Sequence, residues 1–374
     1  MQNVVIIGPA YPLRGGGMAT FNERLARQFI ADGYNTAIYT FSLQYPSFLF
    51  PGSTQYSTEP APTELDINVC INSINPINWL HIGNKLRKLK PDVIVVRYWL
   101  PFMAPCLGSI LRLVKKNKYT KIVCIADNVI PHEKRMGDNL LTKYFLKPVD
   151  EVIVMSEKVL LDLKQFDATK PVKLVLHPLY DNFGEKVDKI IARQNIGINT
   201  NEKIILFFGF IRKYKGLDIL LDALAILKNN NLANFKLLIA GEFYEDRKPI
   251  DEQINKLGLQ NILILKTNFI SNNEVRNYFC AADVVIQPYR NATQSGVTPL
   301  AYHFEIPMIV TNVGGLPAMV PDAVVGLVAE PSAISIAEKI AYFFTLDKQI
   351  FIENIKIEKK KFSWQKMVEA ITKN

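Results

Sequence analysis

The feature of this sequence that most constrains its fold is an alternation of short apolar runs with amphipathic helical stretches along the whole chain. Val4–Ile7, for example, is apolar and β-branched without polar alternation, as in a strand buried on both faces. Similar runs predict strands at 35–41, 92–96, 121–125, 151–155, 204–208, 236–240, 261–265, 284–286 and 308–310. Strands that alternate with helices form parallel sheets from βαβ units, so we expect an α/β protein.

This alternating pattern occurs twice, and residues 177–184 separate the two copies. Pro178, Asn182 and Gly184 interrupt both the strand and the helix periodicity there. We predict one Rossmann-like domain over residues 1–180, joined by the C-terminal helix 362–374, and a second over 181–361. The two parallel sheets are expected to face each other across a cleft. Because open α/β sheets bind ligands outside the carboxyl ends of their strands, the loops that follow strands are the candidate sites.

Basic charge is concentrated in the first half of the chain. The net charge is +9, with 21 basic against 14 acidic residues in 1–180 and 23 against 21 in 181–374. This asymmetry predicts an anionic partner for the first half, and a solvated basic face is the alternative. The segment Leu107–Lys118 is basic and amphipathic, as in an ordinary surface helix, and contact with an anionic membrane surface is the alternative. Since no nucleic-acid-binding motif is recognised, we expect no nucleic-acid partner.

Composition indicates a folded protein of a reducing compartment. Apolar residues make up 49% and charged residues 21% of the chain, which excludes a disordered chain. The four cysteines lack metal or redox spacing, and an apolar strand follows Met1 at once without a signal peptide. With no apolar run of the ~18–20 residues that a membrane span needs, we expect a cytoplasmic protein, placed at the inner face of the plasma membrane if it contacts lipid.

A glycine-rich loop, Gly15, Gly16 and Gly17, follows the first strand. Its backbone amides can approach an anion closely at a helix N-terminus, and a flexible turn is the alternative. The dinucleotide fingerprint G-x-G-x-x-G and the P-loop Lys-Ser/Thr are both absent, which argues against a nicotinamide oxidoreductase.

A second loop, Gly209–Gly216, follows a buried strand and precedes a helix. It carries Arg212 and Lys215, three residues apart. A guanidinium can bind a phosphate with two parallel hydrogen bonds, and an ammonium adds a mobile point charge. This loop therefore predicts a site that neutralises a diphosphate, and a solvated basic turn is the alternative.

A third loop, formed by Gln294, Ser295, Gly296, Val297 and Thr298, precedes an apolar helical run. Small residues with free amides at a helix N-terminus predict a second anion site. No Asp-x-Asp pair occurs and the four histidines are scattered, so we expect basic side chains to take the place of a metal ion. The predicted cofactor set is therefore empty, and a nucleotide diphosphate sugar would be a co-substrate.

The ordered set of motifs resembles a family 4 retaining glycosyltransferase of the GT-B fold. Each motif is weak alone, but together they cover nearly the whole chain and are densest over residues 203–331. The segments that carry the resemblance are Gly15–Met18, Gly209–Ala223, Ala281–Pro288, Gln294–Pro307 and Val313–Pro317.

The resemblance implies transfer of a sugar from a nucleotide diphosphate sugar to a glycan or lipid-linked acceptor with retention of configuration. The resemblance also implies a role in the synthesis of cell-surface polysaccharide or glycoconjugates. Arg212 and Lys215 match the residues that hold the donor diphosphate in this family. Gly16 and Gly17 match the loop that closes over the sugar. The turn Asn268–Ile270 resembles the one whose backbone meets the nucleotide base, so Asn268 and Ile270 are candidate donor contacts.

Two further predictions concern the first half of the chain. The resemblance places His132 near the transferred sugar, whereas a lone histidine is otherwise more often structural. Arg97, Tyr98 and Trp99 end a predicted strand, and we expect them to bind the acceptor by stacking on sugar rings. A core position for Trp99 is the alternative.

The chain departs from the family pattern at three positions, and one of them is Ala318, which replaces the usual acid after Gly-Gly-Leu-Pro. The family has a glutamate at each of the positions matched by Ala292 and Leu300, so ribose contacts and sugar choice differ here. A Ser-Gly-Val loop is a known variant, which favours an active enzyme. A non-catalytic relative that binds sugar nucleotides is the alternative function.

Overall fold

The computed structural model describes residues 2–14, 17–46, 54–58, 60–131, 135–198, 201–232, 235–292 and 295–373. Two compact units divide the chain. Unit 1 consists of Met1–Pro178 together with Phe362–Asn374, and unit 2 consists of Leu179–Lys361. The division falls two residues before the domain boundary predicted at residue 180.

Unit 1 contains one parallel seven-stranded sheet in the order β3-β2-β1-β4-β5-β6-β7. Its strands are β1 Asn3–Ile7, β2 Asn35–Leu43, β3 Asp66–Asn72, β4 Val93–Tyr98, β5 Lys121–Ala126, β6 Glu151–Val154 and β7 Val172–Leu174. Its helices within the first 178 residues are α1 Gly17–Ala31, α2 Pro76–Leu89, α3 Ala104–Lys115, α4 Asp138–Leu146 and α5 Glu157–Lys164.

The centre of this sheet is apolar because its strands are covered on both faces. Every residue of β4 is buried, and β1 is buried from Val4 to Ile7, as their uninterrupted apolar runs predict. Helix α2 begins where the Asn75 side chain accepts hydrogen bonds from two backbone amides and ends at Lys90, which has φ 49°.

Helix α3 corrects the predicted membrane contact of Leu107–Lys118. Its apolar residues are buried in the core of unit 1, among them Leu107, Ile110 and Leu111. Lys115 forms a salt bridge of 2.9 Å with Asp150. The apolar face of α3 therefore packs on the protein, and the amphipathic pattern reflects a helix that covers a sheet.

Unit 2 contains a six-stranded parallel sheet. Its strands are β8 Lys203–Phe208, β9 Phe235–Ala240, β10 Leu263–Lys266, β11 Val284–Gln287, β12 Met308–Thr311 and β13 Gly326–Ala329. Its helices are α6 Lys189–Asn195, α7 Leu217–Asn229, α8 Lys248–Leu257, α9 Val275–Ala281, α10 Val297–His303, α11 Leu316–Met319, α12 Ala333–Phe343 and α13 Lys348–Glu358.

The strand order of this second sheet, β10-β9-β8-β11-β12-β13, positions the candidate site. From β8 the chain proceeds outward to β9 and β10, and it returns to the other side of β8 with β11. The two central strands β8 and β11 thus lie at a topological switch point, where the loops at their carboxyl ends border a crevice.

The last helix, α14 Trp364–Thr372, belongs to unit 1. The indole of Trp364 packs on Phe21 of α1 with ring centroids 4.8 Å apart. The Lys173 ammonium donates hydrogen bonds to the carbonyl oxygens of Ala370 and Lys373 at 2.9 and 2.7 Å. These contacts attach the C-terminal segment to the first sheet.

Candidate functional site

The loop after β8 depends on two glycines. Gly209 has φ +98° and Gly216 has φ +69°, and both conformations are unfavourable for residues with a side chain. A Cβ atom at Gly216 would lie 2.0 Å from the carbonyl oxygen of Pro288, which begins the loop after β11. Glycine is therefore required where the two loops of the switch point approach each other.

An ion pair joins the same two loops. The guanidinium of Arg290 donates two hydrogen bonds to the Asp218 carboxylate, at 2.5 and 2.6 Å, and a third to the carbonyl oxygen of Lys213. The backbone amide of Arg290 also donates to the carbonyl oxygen of Tyr214 at 2.8 Å. Sequence patterns do not reveal this pair, because its partners are 72 residues apart and Arg290 lies outside the segments that carry the family resemblance.

Lys215 places a buried amine in this crevice. The residue is 8% exposed, and its Nζ lies 2.8 Å from the position that a Cβ atom would take at Gly209. The ring centroid of Tyr289 is 5.9 Å from Nζ. Burial, followed by the positive charge of Arg212, lowers the pKa of Lys215 to about 7.

Unlike Arg290, the two cations Lys215 and Arg212 have no acidic partner among the described residues. Arg212 is half-buried, and its guanidinium carbon lies 5.2 Å from the ring centroid of Tyr244, which stacks on Phe210 at 4.1 Å. Since a buried ammonium is costly without a counter-charge, this arrangement favours an anionic ligand.

The predicted third loop is partly occupied by its own hydrogen bonds. The Ser295 hydroxyl oxygen accepts from the backbone amide of Val297 at 3.1 Å. The Thr298 hydroxyl is fully buried and donates to Gln287 at 3.1 Å. The amide of Val297 and the hydroxyl of Thr298 thus hold the loop and the start of α10 in place, so the Val297 amide is not among the free amides expected of this loop. Gly296 lies beside the Tyr180 ring.

Two positions that the family resemblance matches to glutamates carry buried apolar side chains. Ala292 and Leu300 are 2% and 6% exposed. A Cβ atom at Gly314 would lie 1.4 Å from the carbonyl oxygen of Ala292, so the backbone of this loop is tightly enclosed. Neither position offers a polar side chain to a ligand.

Other predicted site residues lie elsewhere or outside the described residues. Asn268 is exposed and Ile270 is half-buried, and both follow the edge strand β10. Gly17 begins α1 in unit 1 with φ +34°. Gly15, Gly16, His132 and Gln294 fall outside the described residues, so their roles stay predictions.

The predicted acceptor residues are buried within unit 1. Arg97 forms two hydrogen bonds of 2.6 Å with the Asp127 carboxylate. Tyr98 is fully buried, stacks on Phe145 at 4.1 Å and has no ring face open to a sugar.

Trp99 is 9% exposed, and its indole N–H donates to Tyr45 at 2.7 Å. Its position agrees with the alternative of a core tryptophan. The prediction of stacking failed for Tyr98 because successive side chains at the end of a strand point to opposite faces of the sheet. Some of them therefore point into the core.

The described residues show neither a metal-binding cluster nor a membrane span. Among the described residues, no group of three or more His, Cys, Asp or Glu side chains has the arrangement of a metal site. No helix in the described ranges has the length and apolar character needed to cross a bilayer.

The chain has the architecture of the two-domain α/β proteins of the GT-B fold. It contains two doubly wound units, and two cations lie at the switch point of unit 2. Solved structures share this architecture over the whole chain. Anabaena HepE in complex with UDP-glucose matches with a TM-score of 0.75 and 15% identity, covering 98% of both chains. WaaG, a glycosyltransferase involved in lipopolysaccharide biosynthesis, matches with a TM-score of 0.73 and 18% identity over 99% of this chain and 100% of that one.

The chain belongs to the glycosyl transferases of group 1, whose family model matches residues 188–361. An uncharacterized glycosyltransferase of Methanocaldococcus jannaschii is 32% identical over 313 residues, 79% of either chain. An uncharacterized 41.2 kDa protein in the cps region of Klebsiella pneumoniae is 27% identical over 42% of this chain. That match spans 40% of the Klebsiella protein, and a second M. jannaschii relative is matched over 36% of its length.

Proposed function

We propose that this protein transfers a sugar from a nucleotide diphosphate sugar to a glycan or lipid-linked acceptor, with retention of configuration. The observation that carries the proposal is the buried amine of Lys215 beside Arg212 at the switch point of the second sheet, without a carboxylate partner among the described residues. A diphosphate would supply the missing counter-charge.

The chemistry assigned to these two cations is stabilisation of the leaving group. The bond between the anomeric carbon and the phosphate oxygen breaks, and its electron pair goes to the diphosphate. The acceptor hydroxyl forms the new bond from the same face of the sugar, and its proton passes to the departing phosphate. Arg212 and Lys215 stabilise the charge that develops on this oxygen, an effect worth about 2.7–4 kcal/mol for a single well-placed donor. Neither a metal ion nor a carboxylate base is assigned a role.

The names of related proteins support the substrate class. HepE is solved with UDP-glucose, and WaaG is involved in lipopolysaccharide biosynthesis. The Klebsiella relative is encoded in a cps region. A nucleotide sugar as donor and a cell-surface polysaccharide or glycoconjugate as product follow for this chain by analogy.

A peripheral contact with anionic lipid remains part of the proposal, moved from α3 to α2. The side chains of Ile77 and Leu80 on α2 are 79% and 54% exposed. Lys85 and Lys88 on the same helix are exposed as well. Exposed apolar side chains and lysines on one helix suit the surface of an anionic membrane, where a lipid-linked acceptor would be found.

A second candidate function is binding of a sugar nucleotide without transfer. The buried apolar side chains of Ala292 and Leu300 favour it, since neither can hold a ribose or sugar hydroxyl.

A thermal-shift panel of UDP-, GDP- and ADP-sugars, with hydrolysis measured in parallel, separates the two functions. We expect one donor to stabilise the wild-type protein and to be hydrolysed slowly, and Arg212→Ala to lose both effects. Stabilisation without hydrolysis or transfer would support the binding protein. If no donor stabilises the protein, or if Arg212→Ala responds as the wild type does, the proposed site is wrong.

A further inference from the structure

Tyr289 lies between two groups of the candidate site. Its ring centroid is 5.9 Å from the Lys215 Nζ, and its hydroxyl oxygen is 3.2 Å from the hydroxyl oxygen of Ser295. All three residues are at least nine-tenths buried, with exposures of 3% for Tyr289, 8% for Lys215 and 5% for Ser295. One tyrosine thus contacts both the amine and the serine.

Hydrogen bonding determines where the Ser295 hydrogen points. A serine hydroxyl has two acceptor positions and one hydrogen to donate. The backbone amide of Val297 fills one acceptor position at 3.1 Å. Either hydroxyl of the Tyr289–Ser295 pair could donate. A phenol oxygen is the weaker acceptor because its lone pair is delocalised into the ring, so we assign Tyr289 as the donor that fills the second acceptor position.

With both acceptor positions filled, the Ser295 hydrogen has to point away from Tyr289 and Val297. Within the described residues, which omit 293 and 294, no acceptor for this hydrogen is recorded. A buried hydroxyl hydrogen without an acceptor is unfavourable, so the arrangement calls for an acceptor from a ligand.

The hydroxyls of Ser295 and Tyr289 and the Lys215 amine lie in one region next to Gly209. A Cβ atom at Gly209 would lie 2.8 Å from the Lys215 Nζ and 3.8 Å from a methyl carbon of Val297. Val297 donates its amide hydrogen to Ser295, and Tyr289 connects Ser295 back to Lys215. These five residues therefore surround one small region at the carboxyl end of β8.

We propose that the Ser295 hydroxyl donates a hydrogen bond to the same diphosphate that neutralises Lys215, and that Tyr289 is the positioning residue that directs this hydrogen. The inference rests on the proposed function, which assigns a diphosphate to Lys215. The proposal adds two features to the site. One is a side-chain donor that selects for an anion, and the other is a tyrosine whose effect on binding depends on Ser295.

Titration calorimetry of the full chain with inorganic pyrophosphate at pH 7 tests the proposal. Because hydrogen bonds to charged groups are strong, we expect Ser295→Ala to weaken binding by about tenfold or more. Tyr289→Phe keeps the ring beside Lys215 and is expected to weaken binding about threefold to tenfold, but to have no further effect in the Ser295→Ala protein.

Tyr302→Phe is the matched control. Its buried hydroxyl donates to the carbonyl oxygen of Met319 at 2.6 Å, outside the site, so its removal should lower the thermal midpoint and leave pyrophosphate affinity unchanged. A purely structural role for Tyr289 would lower affinity equally with serine or alanine at position 295, and that additivity would overturn the positioning role.

The outcomes separate this inference from the proposed function. If Lys215→Met weakens pyrophosphate binding and Ser295→Ala does not, the serine donor is wrong while the diphosphate site stands. If Lys215→Met has no effect, the proposed function itself fails. Should Tyr289→Phe not fold, Ser295→Thr decides instead, since it keeps the hydroxyl and should bind more tightly than Ser295→Ala. Equal affinity of these two variants would refute the proposal.

Discussion

Binding of a nucleotide sugar should draw a proton from solution, because the Lys215 amine is partly neutral before the ligand arrives. Burial, with the charge of Arg212 as the second cause, lowers the pKa of this amine to about 7 in the free protein. A bound diphosphate stabilises the ammonium form and raises that pKa again. The free site loses its proton above pH 7 and the complex keeps it, so the affinity must fall as the pH rises.

The magnitude follows from the two protonation states. With a pKa of about 7, roughly a tenth of the free protein carries the ammonium at pH 8, so binding there takes up about 0.9 proton, against about 0.1 at pH 6. The dissociation constant should rise about tenfold per pH unit above pH 7. The neighbouring phenols of Tyr214 and Tyr289 do not contribute, because burial raises the pKa of both above the ordinary value.

Titration calorimetry in HEPES and in Tris measures this proton directly, because the apparent enthalpies differ by the uptake times the difference in buffer ionisation enthalpy. An intact nucleotide sugar is the ligand, since its diphosphate has no free terminal phosphate to titrate. Lys215→Arg keeps a cation that does not titrate and should bind without proton uptake. Lys213→Met, which removes an exposed lysine of the same turn, should behave as the wild type.

Binding of the wild type at pH 8 without proton uptake would refute a partly neutral Lys215 amine in the free protein. Equal proton uptake by Lys215→Arg and the wild type would show that another group takes up the proton.

Three further predictions concern loops and surface. Gly216→Ala should lower the free energy of unfolding by more than the roughly 1–2 kcal/mol of left-handed strain, because its Cβ meets the Pro288 carbonyl. Gly258→Ala, at φ +62° and without a backbone clash, is the control and should cost only that strain. Equal losses in urea unfolding would contradict this. Arg290→Ala should weaken binding of the nucleotide sugar in calorimetry by releasing the two loops, and an unchanged affinity would show that this ion pair does not position the site. Ile77→Asp should reduce flotation with anionic vesicles at low salt, whereas wild-type protein that does not float would rule out the lipid contact.

The sequence predicts the central strands of both sheets more reliably than the edge strands. Strands β1, β4, β8 and β11 are covered on both faces, so each contains a continuous apolar run of three or more residues. The strands that the pattern missed, β3, β7 and β13, all lie at sheet edges. An edge strand is short or half-covered, and its composition then differs little from that of a loop. Parallel β12, one position inside an edge, was still apolar enough to be recognised.

The candidate site was predictable where the chemistry is local. Arg212 and Lys215 lie within one turn and could be found by position after a strand, and the structure brings that turn beside Ser295 and Val297. The roles of Tyr289 and Arg290 could not be found in this way, because their partners lie in a different loop. Burial of Tyr98 likewise depends on α4, which sequence pattern alone does not place.

Release of nucleoside diphosphate from a nucleotide sugar, followed by ³¹P NMR, tests the central claim most directly. We expect turnover of one donor by the wild type and by Lys213→Met, with a loss of about a hundredfold or more in kcat/KM for Lys215→Met. Equal rates for Lys215→Met and the wild type would contradict it.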